Sequence, residues 1–289
     1  MTGSAAAASV PAAVRSLARE RLHAALRSAT LIVGLVILTF WCVCALFGSK
    51  ITPLDPFADD LLAILVPPSA AHWFGTDQLG RDIFSRVIMG ARDILIVAPL
   101  ATLLGTVLGT ALGLCVGYLR GALDDVVSRV IEAVQALPLV IVALMALAAV
   151  GTSNATVVLV IGFVFTPLIA RTVRAAVLIE SDLDYVAAAR LRGDGAFAIM
   201  FVEILPNVLP IAIVEMTVRL GYAIFFVASL SFIGFGIQPP SADWGIAIAE
   251  NYSLIGSYWW TVLFDAAATA SLVIAVNLVT DGLQSVFDA

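Results

Sequence analysis

The chain has 289 residues, 61% of them hydrophobic and only 12% charged, with a mean hydropathy of +1.05. A soluble domain carries about twice that charged share, so one water-facing core cannot hide this much apolar surface, and lipid must solvate most of it. The formal charge is −6, from 15 Lys and Arg against 21 Asp and Glu, and the absence of a basic stripe argues against nucleic-acid binding.

The apolar runs consume the chain, so one membrane domain without a large soluble appendage is expected. A spanning helix needs about 20 mainly apolar residues, and six stretches qualify. Residues 1–29 form a polar head carrying Arg15, Arg19, Arg21 and Arg27 against Glu20. The first apolar run, 30–47, is long enough to span and has no clear cleavage site after it. It reads as an uncleaved first helix rather than a signal peptide. Between residues 48 and 93 lies a long loop, where Pro53, Pro56, Pro67 and Pro68 forbid an extended helix. Apolar residues recur at helical spacing from Asp82 to Asp93, either as a helix flat on the membrane or as an extension of the second span.

The remaining spans are predicted at 94–118, 126–150, 155–173, 204–232 and 259–283. Gly105, Gly109 and Gly113 recur every four residues on the second, making a smooth face for close packing against another helix. Pro99, Pro138, Pro167 and Pro210 can kink their helices. Trp73, Phe74, Trp244, Tyr258, Trp259 and Trp260 suit the interfacial aromatic belt. Cys42, Cys44 and Cys115 all lie in apolar runs and read as small hydrophobes, not as a disulfide or metal set.

Orientation follows from Lys and Arg placement. With six spans the polar head, Arg120, the loop 174–203 and the C-terminus share one side, expected to be cytoplasmic. Lys50, Arg81, Arg86 and Arg92 on the opposite side offset the bias. The chain is thus expected to be multi-pass in the cell membrane with both termini cytoplasmic.

Lys50 is the one lysine, so no phosphate loop of the form GxxxxGK[ST] can be built. GxSxG and HExxH are absent, and His23 and His72 lie far apart. Catalysis and metal binding within this chain are therefore not expected.

The most informative segment runs from Ser181 to Pro210. Asp182 or Asp184 can cap a short helix starting at Tyr185. Ala187, Ala188 and Ala189 favour that helix without adding bulk. Gly193 or Gly195 can stop it in the left-handed conformation. A second helix then runs toward Pro206. This short helix-turn-helix would lie across the membrane face and enter a partner's groove closely.

Tyr185, Val186, Ala188, Ala189, Arg190, Gly193 and Ile204-Leu205-Pro206-Asn207 resemble the EAA loop of ABC importer permeases in type and spacing. Ala187 stands where that motif has glutamate, and Asp194-Gly195 is unusual after the glycine. His72-Trp-Phe-Gly-Thr-Asp77 through Gly80-Arg-Asp82 to Ser85-Arg86 is similar to a segment of the DppC/OppC-type permeases. Ser231 to Gly236, Pro239-Pro240 and Trp244-Gly245 also resemble that family.

The resemblance implies an all-α membrane protein of about six helices with the type I ABC importer permease fold. Residues 30–289 would be the permease domain, with loop 48–93 extracytoplasmic and loop 174–203 the coupling loop. Asp184, Tyr185, Ala187, Ala188, Ala189, Arg190 and Gly193 would then contact an ATPase. Implied partners are a DppB/OppB-type permease, two ABC ATPase subunits and an extracytoplasmic substrate-binding protein. ATP and Mg would be bound by the ATPases, with no cofactor in this chain. The implied cargo is a di- or oligopeptide, with nickel or another small solute as the alternative within the branch. A secondary carrier driven by an ion gradient is the alternative outside it, but no inverted repeat is visible.

Glu132, Gln135, Glu215 and Arg219 are the candidate pathway-lining residues. Glu215 and Arg219 lie four apart on one helix face and can pair. They either meet a peptide's charged ends or satisfy each other between packed helices. Asp265 and Asn277 are polar groups of the last span.

Overall fold

A computed structural model describes residues 28–287 of the chain. The expected head, 1–29, lies outside the described residues except for its last two positions. Helix α1 spans Ala29–Ile51 and buries Leu31, Gly34, Trp41, Cys44 and Gly48. Spacings of three, four and seven put these on one stripe, which packs on α9 and the start of α2. Trp41 donates its indole N–H to Ser271 Oγ at 3.0 Å. The other face of α1 leaves Val36, Phe40 and Leu46 exposed, as a lipid-facing surface requires.

Residues 52–82 form an irregular cap at one end of the bundle. The cap ends at Asp82, whose carboxylate accepts from the Ser85 N–H and so caps α2, Ile83–Leu119. Helix α2 is unbroken, so the stretch from Asp82 to Asp93 extends the second span and does not form a separate surface helix.

The third predicted span is broken. Helix α3, Gly121–Gln135, and α4, Leu139–Val150, meet at 91° around Pro138. Proline lacks the N–H and crowds the preceding turn, so the apolar pattern continues while the helix does not. Helix α5, Asn154–Glu180, follows a capping box between Ser153 and Thr156. Pro99, Pro167 and Pro210 lie inside helices that remain continuous.

Short helix α6, Asp184–Leu191, sits at the other end of the bundle. Helix α7 covers Ala196–Ile233 and begins with a π-helical stretch, Ile199–Ile204. Helix α8, Trp244–Asn251, wedges beneath the cap, and α9, Trp260–Phe287, returns to the start of α1. Among the described residues five helices are long and apolar enough to cross a membrane, and six when the bent α3–α4 pair counts as one.

The α2–α5 seam is the tightest in the bundle. A Cβ on Gly109 would stand 2.7 Å from Ile169 Cβ, one on Gly113 2.6 Å from the Ala170 carbonyl oxygen, and one on Gly117 2.9 Å from Val177 Cβ. Contact positions rise together along both helices, so α2 and α5 run parallel. The glycine row therefore serves a helix of this same chain.

Candidate functional site

Helix α6 docks by its buried Val186 and Ala189, leaving Asp184, Ala187, Ala188 and Leu191 outward. Its N-terminus differs from the expected cap. Leu183 is the N-cap and makes no side-chain bond. Asp182 instead accepts from Arg120 at 2.7 Å, and Asp184 lies in the first helical turn. An acid there still favours the positive end of the helix dipole. The C-terminus matches the glycine logic. Gly193 has φ +83°, with the Asp194 N–H bonded to the Ala189 carbonyl at 3.2 Å.

Tyr185 ties α6 to two other helices. Its hydroxyl donates to Glu180 Oε1 at the end of α5, at 2.8 Å, and accepts from Asn207 Nδ2 on α7, at 3.0 Å. Burial and the Glu180 carboxylate hold the phenol above its usual range. Arg190 places its guanidinium 5.3 Å from the Tyr118 ring centroid on α2, a cation–π contact. Arg192 bonds Asp194 at 2.8 Å and Glu203 at 2.7 Å, so Asp194 has a role in bracing the turn. Ala187, where a glutamate was expected, is exposed, so the substitution leaves the bundle's own packing untouched.

The pathway candidates fall into separate pairs. Glu132 is exposed and meets Arg129 at 2.8 Å, and Gln135 accepts from Arg171 at 2.9 Å. Arg219 donates to Glu215 at 2.7 Å, so these two satisfy each other across one helical turn. Among the described residues no hydrogen bond or ion pair joins the α3 set to the α7 pair.

A buried charge cluster under the cap escaped the sequence reading. Arg81 bonds Asp77 at 2.7 Å and Glu250 at 2.6 Å, with Arg86 3.8 Å from Asp77. Burial opposes the Arg81 charge, but Asp77 and Glu250 hold its pKa above the usual range. Asp77, Arg86, Asp243 and Asp265 are all nearly inaccessible to solvent. The regular placing of charge through Asp77, Arg81 and Arg86 was the available signal. The cluster pins the cap onto α8 and α9, helped by Phe74 stacked on Phe264 at 3.9 Å.

Apolar helices long enough to cross a membrane, a cap at one end and a small docked helix at the other describe a multi-pass membrane protein. The chain belongs to the binding-protein-dependent transport system inner membrane component family, whose model matches residues 105–289. It is 40% identical over 276 residues to the dipeptide transport system permease protein DppC of Escherichia coli K12, covering 93% of this chain and 92% of the relative. It is 34% identical to the protein of that name from Bacillus subtilis 168, over 88% of this chain and 80% of the relative. It is also 34% identical to the di/tripeptide transport system permease protein DppC of Pseudomonas aeruginosa UCBPP-PA14, over 88% and 86%. As in that family, the chain is a permease component of an ABC transport system, not an enzyme.

Proposed function

We propose that this chain is one of two permease subunits of an ATP-driven importer of di- or oligopeptides. The observation that carries the reading is α6, held by its inner face and presenting Ala187, Ala188 and Leu191 outward. In this reading Asp184, Ala187, Ala188, Arg190 and Gly193 form the surface that receives an ATPase subunit, whereas Ala189, expected on that surface, is buried and holds α6 to the bundle together with the half-buried Tyr185. The α6 end is cytoplasmic, as are both termini, and the 52–82 cap faces the binding protein. A DppB/OppB-type permease completes the pathway, and ATP with Mg sits in the two ATPase subunits. The relatives are named for peptides, which favours that cargo over nickel.

Gly193 supplies the test. A Cβ there would meet nothing within 4 Å, so Gly193→Trp strains the φ +83° turn without entering the bundle. The strain of a side chain in this conformation is about 1–2 kcal/mol. In the full assembly, peptide-stimulated ATP hydrolysis and uptake are expected to fall together, by roughly tenfold. Unchanged coupling would remove α6 from the drive train.

A further inference from the structure

From residue 208 to 237 the only charged residues are Glu215 and Arg219. Asn207 is level with α6, because its amide reaches the Tyr185 hydroxyl. At about 1.5 Å per residue, the pair therefore lies roughly 12–18 Å further along α7, near the middle of a ~30 Å hydrocarbon layer. Arg219 lies 5.7 Å from the ring centroid of Tyr222, which is 60% exposed. Tyr222, Phe225 and Ser229 continue the same row at helical spacing, the first two exposed and Ser229 half-buried. The outward face of α1 carries no charge between Thr30 and Ser49, so this row is unlike a lipid-facing one. Charges at such depth face water or another polar group, not lipid.

The row leads into a cavity of about 650 Å³ between α7, α8 and α9. Phe225, Phe232, Ile248, Val273 and Ile274 make its wall almost wholly apolar, with Ser229 and Thr269 as its hydroxyls. A peptide of any sequence offers one ammonium, one carboxylate and variable side chains. A charge pair beside an apolar, non-specific volume suits that chemistry, since only the ends are common to all cargo.

Resting on the peptide-importer reading above, we infer that the Glu215–Arg219 pair opens to receive the charged ends of a passing peptide. Arg219 takes the carboxylate and Glu215 the ammonium, while the α7–α9 cavity accepts side chains. Their mutual pairing is the resting state and keeps both groups satisfied between cargoes.

Two measurements on the full assembly in proteoliposomes test this. In the first, Tyr222→Cys and Ser229→Cys are made in a chain with Cys42, Cys44 and Cys115 replaced by Ala. A charged, membrane-impermeant thiol reagent is expected to label both, as it labels a Ser257→Cys loop control. Failure to label them while the control reacts would overturn the aqueous placement, leaving lipid or a sister helix against the row. In the second, Glu215→Gln and Arg219→Gln are made singly and together. Each single variant leaves a lone, half-buried charge, so its loss alone would not separate packing from cargo binding. The double variant leaves no charge unpaired. Its uptake of a dipeptide is expected to stay about tenfold down, the weight of one charge-assisted hydrogen bond, with subunit assembly intact. Recovery to wild-type rates in the double variant would reduce the pair to a packing device and overturn the inference. A wild-type assembly that carried no peptide would overturn the importer reading itself, a result the labelling arm distinguishes because it needs no peptide.

Discussion

Asp243 caps α8 by accepting from the Ile246 N–H at 3.0 Å, yet its other carboxylate oxygen has no partner. Burial lifts its pKa to about 6 from an ordinary 3.8, with Asp93 adding to the rise and the Ile246 N–H and Ser231 opposing it. The folded state therefore holds this proton more tightly than the unfolded one. The stabilising contribution is complete below pH 3.8 and is lost as pH rises through about 6. It amounts to at most about 3 kcal/mol. Asp243→Asn keeps the cap acceptor and removes the titration. The variant's thermal midpoint in detergent is expected to vary less between pH 4 and 7 and to lie above wild type at pH 7. Equal pH profiles would assign the sensitivity to other groups. Residues of this kind were hard to read in the sequence. Asp182 looked like a helix cap, but Arg120, 62 positions earlier, captures it. Local capping rules weigh neighbours in sequence, and this competitor arrives only through the tertiary fold.

The helices themselves were more legible, because 20-residue apolar runs and four-residue glycine spacing are properties of a single segment. The seam between α2 and α5 lets this be tested directly. Gly109→Leu must push against Ile169 Cβ, which a new Cβ would approach to 2.7 Å. Overpacking of this kind costs on the order of 1–3 kcal/mol. The variant is expected to show a lowered thermal midpoint and weaker assembly, whereas Gly151→Leu, where a Cβ meets nothing within 4 Å, costs only its φ +91° strain. An unchanged midpoint and intact assembly for Gly109→Leu would show that the seam does not depend on the glycine there. Breaks were less legible than runs. Pro138 ends α3 with a 91° turn, while Pro99 and Pro167 sit inside continuous helices. A proline's effect depends on whether neighbours re-satisfy the freed carbonyl, and the sequence of one helix does not carry that information. The π-helical turn at Ile199–Ile204 had no local signature either.

At the scale of the molecule, the proposed reading makes this chain one half of a pathway, and its sequence carries no phosphate loop of the form GxxxxGK[ST]. Among the described residues there is also no group of His, Cys, Asp or Glu placed to hold a metal. Purification of the tagged chain in mild detergent is expected to bring down one sister permease and two ATPase subunits. Recovery of the chain alone, active in uptake after reconstitution, would favour an ion-coupled carrier instead. Helix α6 and its glycine stop were legible because Tyr185, Arg190 and Gly193 sit at fixed spacing in one short segment. The charge cluster under the cap was not, since Arg81 and Glu250 meet across 169 positions.

Helix α6 touches three others through different grips: Arg190 over a ring on α2, and the Tyr185 hydroxyl between α5 and α7. The first two helices are joined by their glycine seam, and α7, carrying Glu215 and Arg219, packs against both. In the coupling reading proposed above, a load on α6 would reach α7 through both the Tyr185 hydroxyl and the Arg192–Glu203 pair. In that reading the Tyr185 hydroxyl shares the load between α5 and α7, and Tyr185→Phe is expected to weaken peptide-stimulated ATP hydrolysis in the full assembly without releasing α6, which stays tied by Arg190 and Arg192.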